Sequence, residues 1–336
     1  MNPIRMAQYG TGHGHAIGKL VSMLNNPNVE LVGLFEPDTA QRAHVAATQP
    51  ALADVHWFES ADEMLTDPTI VAVASEGFNH ESLAFTEQII AAGKHAWYDK
   101  PAGDNWPHWQ RVVQMAQERQ LLIQMGFMFR YHSGFNQIAE WAHAGLLGDL
   151  FSVRAHMSTW LTKEQQQVIS RHRGGIFYDL AAHMLDQVVW LLGRPQRVTG
   201  FLHNHTGLVP TFSDNTLGVL EYENALAFVD IAAMETRPMA RRFEVYGTRG
   251  SAILLEPFEP ASAIRLCLDA DTAAASGYQP GEQIVPVEAQ SRQLLYDLEL
   301  EDFVAVLRGA KAPARSFAHD LVVQETLLRA TGTIEE

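Results

Sequence analysis

The chain has 336 residues, enough for two domains of ordinary size. Hydrophobic residues make up 47% of the sequence and charged residues 19%, values typical of globular proteins that bury a large core. The formal net charge of −15 argues against nucleic acids and anionic membranes as partners. A single cysteine excludes a disulfide within the chain, and no signal peptide or long apolar run is visible, so we expect a cytoplasmic protein.

In the first third of the chain, short strands are predicted to alternate with helices. Apolar runs predict strands at residues 4–9, 29–35, 55–58, 70–74, 95–98 and 121–127. Helical spacing predicts helices at residues 15–24, 39–48, 61–65, 80–92 and 106–119. This alternation is typical of α/β proteins with a doubly wound parallel sheet, so residues 1–125 are expected to form one such domain.

The pattern changes after about residue 125 and becomes rich in strands. Helices are predicted at residues 135–144 and 176–192, and again near the end at 296–307 and 320–330. Strands are predicted at residues 151–157, 196–203, 215–222, 225–234, 242–246 and 252–255. We expect residues 126–336 to form an α+β domain with an open, mostly antiparallel sheet, whose last helices can pack back on the first domain.

The stretch GTGHGHAIG, residues 10–18, follows the first predicted strand. Gly10 permits a tight turn, and Gly12 lets the backbone approach a pyrophosphate held at the N-terminus of the next helix. Glu36 ends the second predicted strand, where dinucleotide-binding Rossmann domains place the acid that binds ribose hydroxyls. The order of strand, glycines, helix and acid predicts a bound dinucleotide. The charge of Glu36 favours NAD over NADP, although Arg42 follows a turn later.

His15 stands where this fingerprint normally has its third glycine. A histidine fits there only if the helix stands away from the strand or the ring turns outward. His13 and His15 could instead bind a metal, but a metal site needs a third ligand and none is local, so we predict none. A glycine turn that binds nothing is the remaining alternative.

The stretch 174–193 has the spacing of a helix with glycines at both ends. Asp179, His183, Asp186 and Trp190 recur at steps of four, three and four along one stripe that carries no lysine, which indicates a cavity wall. A carboxylate at Asp179 can orient the His183 imidazole and raise its pKa, as a general base near neutral pH requires. A purely structural Asp–His pair is the alternative.

Lys100 follows the strand predicted at residues 95–98. Ligands of parallel sheets bind beyond the carboxyl ends of the strands, so Lys100 is predicted to face the cofactor crevice. There it can donate to a substrate hydroxyl or stabilise a developing alkoxide. A solvated surface lysine is the alternative.

These motifs together resemble the Gfo/Idh/MocA family over essentially the whole chain. The family's E-K-P motif appears as Asp99-Lys100-Pro101, and its helix motif as Gly174-Gly175 followed by Asp179, His183 and Asp186. The resemblance implies an NAD-dependent oxidoreductase acting on a sugar, cyclitol or related polyol. In that chemistry His183 takes the hydroxyl proton, Lys100 holds the same oxygen and Asp179 orients His183.

The glycine-loop motif, the resemblance and one basic segment together predict the full set of site residues. The expected cofactor-binding residues are Gly10, Thr11, Gly12, His13, His15, Glu36, Ser75, Asn79, Asp99 and Lys100. The expected substrate-binding residues are Arg130, Tyr131, Trp160, Arg173, Asp179 and His183. Arg173 and Trp160 enter because a basic segment, residues 171–173, stands out in an acidic chain; a solvated loop is its alternative. A homo-dimer or homo-tetramer through the second sheet is expected.

Four features depart from the family pattern. They are His15, Asp99 in place of glutamate, Ala181 in place of a glycine, and the turn at residues 75–78 in place of the usual T-P-N type. None removes a proton-transfer group. Two other functions stay open: a tightly bound NAD used as a redox catalyst for glycoside cleavage or epimerisation, and a catalytically silent NAD(H)-sensing protein.

Overall fold

The chain folds as two compact units in a computed structural model that describes residues 2–335. The first unit comprises the residues up to Phe127 together with Gln293–Phe317. The second comprises Met128–Arg292 and the residues from Ala318 onward. Within the described residues, no helix is both long and apolar enough to cross a bilayer.

The first unit is built on a parallel sheet of five strands in the order β2-β1-β3-β4-β5. This confirms the predicted doubly wound α/β class. Its elements are β1 (Ile4–Tyr9), α1 (Ala16–Asn25), β2 (Val29–Phe35), α2 (Thr39–Thr48), α3 (Ala61–Thr66), β3 (Ala72–Ser75), α4 (Ser82–Ala91), β4 (His95–Asp99), α5 (Trp106–Glu118), β5 (Ile123–Gly126) and most of α10 (Arg292–Leu307).

Burial explains why these strands read as apolar runs. All four residues of β3 are buried because helices cover both faces of the sheet. Met6 from β1, Leu20 from α1 and Trp97 from β4 share one core cluster with Phe303 from α10. Short polar side chains cap the helices: Asp38 accepts hydrogen bonds from the first turn of α2, for example.

Residues 55–58, predicted as a strand, do not form one. The segment makes a single parallel bridge, between Leu34 and Trp57, through hydrogen bonds from Leu34 N to His56 O and from Phe58 N to Leu34 O. Ser60 then caps α3 and turns the chain away. The prediction was wrong because a segment that makes only one bridge at the sheet edge can have the same apolar pattern as a short strand.

The second unit is an eight-stranded sheet in the order β13-β12-β11-β10-β6-β9-β8-β7, antiparallel except for the β6–β9 pair. This confirms the open, mostly antiparallel sheet. Its elements are α6 (Ser133–His143), β6 (Leu150–His156), α7 (Lys163–Ile169), α8 (Ile176–Leu192), β7 (Arg197–His203), β8 (Asn215–Glu221), β9 (Leu226–Ala232), β10 (Arg242–Gly247), β11 (Gly250–Leu254), β12 (Ala263–Leu268), α9 (Ala270–Ser276), β13 (Gly281–Pro286) and α11 (Phe317–Ala330).

One face of this sheet is covered by α8, and the other keeps exposed apolar side chains. A Cβ at Gly218 on β8 would meet the Phe177 ring of α8, which identifies the covered face. Leu226 and Phe228 of β9 are 56% and 36% exposed and alternate with the buried Ala227 and Val229. Such a surface suits self-association, and the expected homo-oligomer stays a prediction.

The turn after β1 requires glycine at its first position. Gly10 has φ +84°, and a Cβ there would lie 2.6 Å from Gly77 N and 2.7 Å from Gly77 Cα. Backbone atoms cannot move aside as a flexible side chain can. Gly14, four residues on, is exposed, and a Cβ there would meet no atom within 4 Å. A methyl group is therefore expected to destabilise the fold at position 10 and to have little effect at position 14.

We expect Gly10→Ala to lower the free energy of unfolding by about 1–3 kcal/mol, because the added methyl forces backbone apart in a conformation that favours glycine. Gly14→Ala is the matched control and should change it by less than about 0.5 kcal/mol. Urea unfolding followed by circular dichroism measures both. Equal stabilities for the two variants would mean that the turn at Gly10 tolerates a side chain.

Candidate active site

The glycine loop lies against the turn that follows β3. A Cβ at Gly12 would lie 2.7 Å from the Phe78 ring and 2.8 Å from Phe78 N. The backbone N–H of His13 donates to the carbonyl of Glu76. Two turns at the carboxyl edge of the parallel sheet, after β1 and after β3, therefore hold each other in place.

Glu36 sits directly after β2 and binds the glycine loop. Its Oε2 accepts hydrogen bonds from Thr11 N and Thr11 Oγ1, both at 2.7 Å, and its Oε1 accepts one from Asp38 N at 3.0 Å. The residue is only 5% exposed. A carboxylate offers about four acceptor positions, so Oε1 retains room for one more donor.

His15 turns inward, against the expectation. Its Nδ1 lies 3.0 Å from Asp99 Oδ2, its ring contacts Tyr296, and the residue is 9% exposed. Burial lowers the pKa of His15 to about 4, against the opposing effect of Asp99. Of the two alternatives expected for a histidine here, the outward ring is wrong, because β4 supplies a carboxylate inside, where the sequence gives no local partner.

Lys19 completes a buried charged cluster and was not predicted. It lies one helical turn after His15 on α1, is fully buried, and places Nζ 2.9 Å from Glu76 Oε1 and 3.0 Å from Asp99 Oδ2. The ammonium also lies 4.3 Å from the centroid of the Trp97 ring. The detectable signal was a lysine on the helix face that also carries the buried Leu20 and Met23 of α1.

Asp99 is the shared partner of this cluster. Its Oδ2 lies 3.3 Å from His13 Nδ1, and its Oδ1 accepts a hydrogen bond from the backbone N of Lys100 at 2.7 Å. Burial alone would raise the pKa of Asp99, but His13, His15 and Lys19 hold it well below its ordinary value. Asp99 is therefore ionised in the interior.

Glu76 is the second carboxylate of the cluster, and its pKa is shifted in the opposite direction to that of Asp99. Burial, together with the nearby charge of Asp99, raises the pKa of Glu76 well above its ordinary value despite Lys19. For Lys19 itself, burial acts to lower the pKa, and Asp99, Glu76 and Glu299 overcome that effect and raise it.

Gly126 gives the cluster its space. A Cβ at this last residue of β5 would lie 2.8 Å from Asp99 Cγ and 2.8 Å from Lys19 Nζ. Any side chain there would push apart the lysine and the carboxylate. A glycine at the end of the strand is therefore part of the cluster, although its own backbone needs no special conformation.

Lys100 and Ser75, two predicted cofactor contacts, are both buried at strand ends. Lys100 is 3% exposed, which excludes the solvated-lysine alternative. Ser75 is fully buried: its Oγ donates to Ser82 O at 3.2 Å and accepts from Thr86 Oγ1 at 3.0 Å. Its hydroxyl thus supports the start of α4. Asn79, in the turn before α4, is half-buried.

In the second unit, α8 carries Asp179 and His183 one turn apart. Gly175 precedes the helix with φ +54°, and a Cβ there would lie 2.3 Å from Ser213 O, so glycine is required at that bend. His183 is 1% exposed and packs edge-on against Phe129, with ring centroids 5.1 Å apart, while Asp179 is half-buried.

Asp186, the third member of the predicted stripe, binds Arg130 instead of lining a cavity. Arg130 Nε lies 3.1 Å from both carboxylate oxygens, and Nη2 lies 2.6 Å from Asp186 Oδ1 and 2.5 Å from Asp320 Oδ1. His319 Nε2 also lies 2.8 Å from Asp186 Oδ1. Burial would raise the pKa of Asp186, but Arg130 and His319 lower it. This geometry gives Arg130 a structural role and does not support the predicted substrate contact.

The other predicted substrate residues lie at or near the surface of the second unit. Trp160 is 50% exposed, Arg173 is exposed and Tyr131 is half-buried. The Arg173 guanidinium lies beside Gly332, and the neighbouring His172 stacks on Tyr178 at 4.4 Å between ring centroids. Their contacts with substrate stay predictions.

Comparison with known families places both units. Residues 4–127 match the family described as "Oxidoreductase family, NAD-binding Rossmann fold", and residues 135–253 match the "GFO/IDH/MocA C-terminal domain". The chain belongs to the Gfo/Idh/MocA family of oxidoreductases. The recognition made from motifs alone is thereby confirmed, and so is the assignment as an enzyme of the oxidoreductase class.

Three individual proteins are similar to this chain at 18–24% identity. The rhizopine catabolism protein MocA of Rhizobium meliloti is 24% identical over 310 residues, covering 90% of this chain and 86% of that one. A putative NADPH-dependent oxidoreductase from Desulfitobacterium hafniense superposes with a TM-score of 0.81 at 18% identity, covering 99% and 96% of the two chains. UDP-N-acetylglucosamine 3-dehydrogenase from Acidithiobacillus ferrooxidans gives a TM-score of 0.78 at 19% identity, covering 99% and 98%.

Three of the four departures from the Gfo/Idh/MocA pattern meet in space. His15, Glu76 and Asp99 all belong to the buried cluster around Lys19. In sequence they are far apart, in the glycine loop, the turn after β3 and the end of β4. They are therefore one local solution to packing beneath α1, and not three separate losses of a family residue.

We expect Arg130→Ala to lower the free energy of unfolding by about 3 kcal/mol or more, because it leaves the buried Asp186 without its main counter-charge. Arg197→Ala, which breaks a solvent-exposed pair with Glu221, is the control and should cost less than about 1 kcal/mol. Denaturant unfolding measures both. Unchanged stability together with a raised substrate KM in Arg130→Ala would instead restore the predicted substrate contact.

Proposed function

We propose that this protein is an NAD-dependent dehydrogenase that oxidises a secondary alcohol of a sugar, cyclitol or related polyol. One observation carries the proposal: Lys100 is buried at the carboxyl end of β4. It directly follows Asp99, whose carboxylate contacts His13 and His15 of the glycine loop. A buried lysine at the ligand-binding edge of a parallel sheet is placed to contact a bound molecule and contributes little to solubility. Family membership supports the class of reaction.

The residues of the first unit fit the dinucleotide that the family implies. Gly14 is exposed with open space around it, and α1 begins at Ala16 without a side-chain cap, so the N-terminus of the helix is available to a pyrophosphate. Glu36 has an acceptor position for one ribose hydroxyl. Bound NAD would supply the hydride acceptor.

The proton-transfer roles fall to Lys100 and His183. The His183 imidazole takes the proton of the substrate hydroxyl as general base, and Asp179, one turn earlier on α8, orients the ring. The Lys100 ammonium donates to the same oxygen and stabilises the alkoxide as the proton leaves. Burial of both side chains keeps competing water away from these hydrogen bonds.

The substrate class rests on the family and on the exposed residues of the second unit. One relative is named for rhizopine catabolism, and a protein of the same fold is named as a dehydrogenase of UDP-N-acetylglucosamine. Trp160 offers an aromatic face, and Arg173 offers a guanidinium that suits hydroxyl or anionic groups.

Cofactor preference is the first test. We expect NADH to bind at least tenfold more tightly than NADPH, equivalent to about 1.4 kcal/mol, because the Glu36 carboxylate repels a 2′-phosphate. Quenching of tryptophan fluorescence during titration measures both. Glu36→Gln should reduce the ratio of the NADPH and NADH dissociation constants, whereas Glu30→Gln, at an exposed position of β2, should leave that ratio unchanged. Tighter binding of NADPH would contradict the preference.

Reduction of NAD by sugars and cyclitols is the second test. We expect Lys100→Ala and His183→Ala each to lower kcat by about 100-fold or more, since each removes a group that acts on the reacting oxygen. His203→Ala, an exposed histidine on β7, is the control. NADH absorbance measures the rate. Full activity in His183→Ala would exclude its role as base, and turnover of a substrate without net NADH would favour the redox-catalyst alternative.

A further inference from the structure

The buried cluster beneath the glycine loop brings together two imidazole nitrogens and two carboxylate oxygens. His15 Nδ1 lies 3.0 Å from Asp99 Oδ2, His13 Nδ1 lies 3.3 Å from the same oxygen, and His13 Nδ1 lies 3.6 Å from Glu76 Oε2. Ligating atoms of His13, His15 and Asp99 all lie within 4.8 Å of one another. No third ligand is local in sequence, but β4 supplies one from 84 positions away.

These distances match the edges of a metal coordination sphere. Zinc bound to nitrogen and oxygen at about 2.0–2.1 Å in a tetrahedron places its ligand atoms roughly 3.3–3.4 Å apart. The three separations in the cluster fall on either side of that value. Two imidazoles and one carboxylate are also a donor set that divalent transition metals accept.

Hydrogen bonds among the described residues leave one carboxylate oxygen of the cluster, Glu76 Oε2, unsatisfied. His13 Nδ1 accepts a hydrogen bond from the backbone N–H of His15 at 3.2 Å, so this nitrogen presents a lone pair. Glu76 is fully buried, and its Oε2 accepts no hydrogen bond from the described residues. The lone pair of His13 Nδ1 therefore faces Glu76 Oε2 at 3.6 Å and Asp99 Oδ2 at 3.3 Å. A cation beside His13 Nδ1 would turn this repulsion into bonds.

Lys19 is compatible with such an ion. Its ammonium binds Glu76 through Oε1, the oxygen other than the one that faces His13. The same ammonium lies 3.0 Å from Asp99 Oδ2, so Lys19 shares that oxygen with the ligand set and borders the set on the side away from His13 Nδ1 only through its contact with Glu76 Oε1. A lysine that donates to the carboxylate ligands would hold their orientation, as outer partners of metal ligands commonly do.

We propose that His13, His15 and Asp99 form a buried site for a divalent transition metal, with zinc as the best-suited ion and Glu76 as a neighbouring carboxylate. The ion would join the turn after β1 to the end of β4, beside the turn after β3. It lies outside the proposed proton-transfer chemistry, which needs no metal, and the proposal does not depend on the identity of the substrate.

The test measures metal content without any nicotinamide. The full chain is stripped with a chelator, equilibrated by dialysis with Zn²⁺, and analysed by mass spectrometry of the metal. We expect one tightly held Zn²⁺ per chain, and an affinity about 100-fold lower in His15→Ala and in Glu76→Gln. His44→Ala, which removes an exposed histidine of α2, is the control and should bind as the wild type does.

A second measurement keeps the test decisive if a variant does not fold. Wild-type protein loaded with Co²⁺ should show the intense visible bands of a four-coordinate ion, and Zn²⁺ should raise its Tm in proportion to occupancy. Folded wild-type protein that holds no Zn²⁺, or variants that bind it equally well, would overturn the site. Failure here leaves NADH binding intact, whereas failure of the proposed function leaves metal content unchanged.

Discussion

A buried negative charge at the end of β4 sets the constraint on which the first unit depends. An ionised carboxylate in the interior is tolerated only when it is paired and hydrogen-bonded. Asp99 meets that condition by drawing His13 and His15 from the glycine loop and Lys19 from α1. The same residue precedes Lys100 and accepts its backbone N–H. Asp99 therefore supports both the position of Lys100 and the conformation of the glycine loop.

The second unit uses the same principle with a different cation. Arg130 joins Asp186 on α8 to Asp320 on α11 through its planar guanidinium, which suits two carboxylates at once. These contacts fix α8, and α8 presents Asp179 and His183. In the second unit Asp186 lies one turn after His183 and two turns after Asp179 on α8, and in the first unit Asp99 directly precedes Lys100. Such networks are costly to assemble but leave little freedom in the geometry that they hold.

The sequence predicted most elements of the first unit because its strands are buried on both faces and three of its helices, α2, α3 and α5, carry side-chain caps. The bounds of β1, β2 and α2 came out residue for residue. It failed where the pattern is short or polar: α7 reads as a run of glutamines, and β13 at the sheet edge alternates exposed residues. The proposed site shows the same division. Glycines and acids at strand ends are visible in one dimension, whereas the partners of Asp99 and Arg130 lie 56 to 190 positions away along the chain.

The gathering of His15, Glu76 and Asp99 around Lys19 has a consequence for how this chain could be rebuilt or could have evolved. Residues in one ion network have effects that do not add, so each is judged by the others that are present. Restoring glycine at position 15 alone would leave Asp99 short of a partner and a hollow beneath α1. Substituting glutamate for Asp99 alone would press an extra methylene group against Gly126 and Lys19. These residues are therefore expected to change together during evolution, or one at a time through intermediates of lower stability.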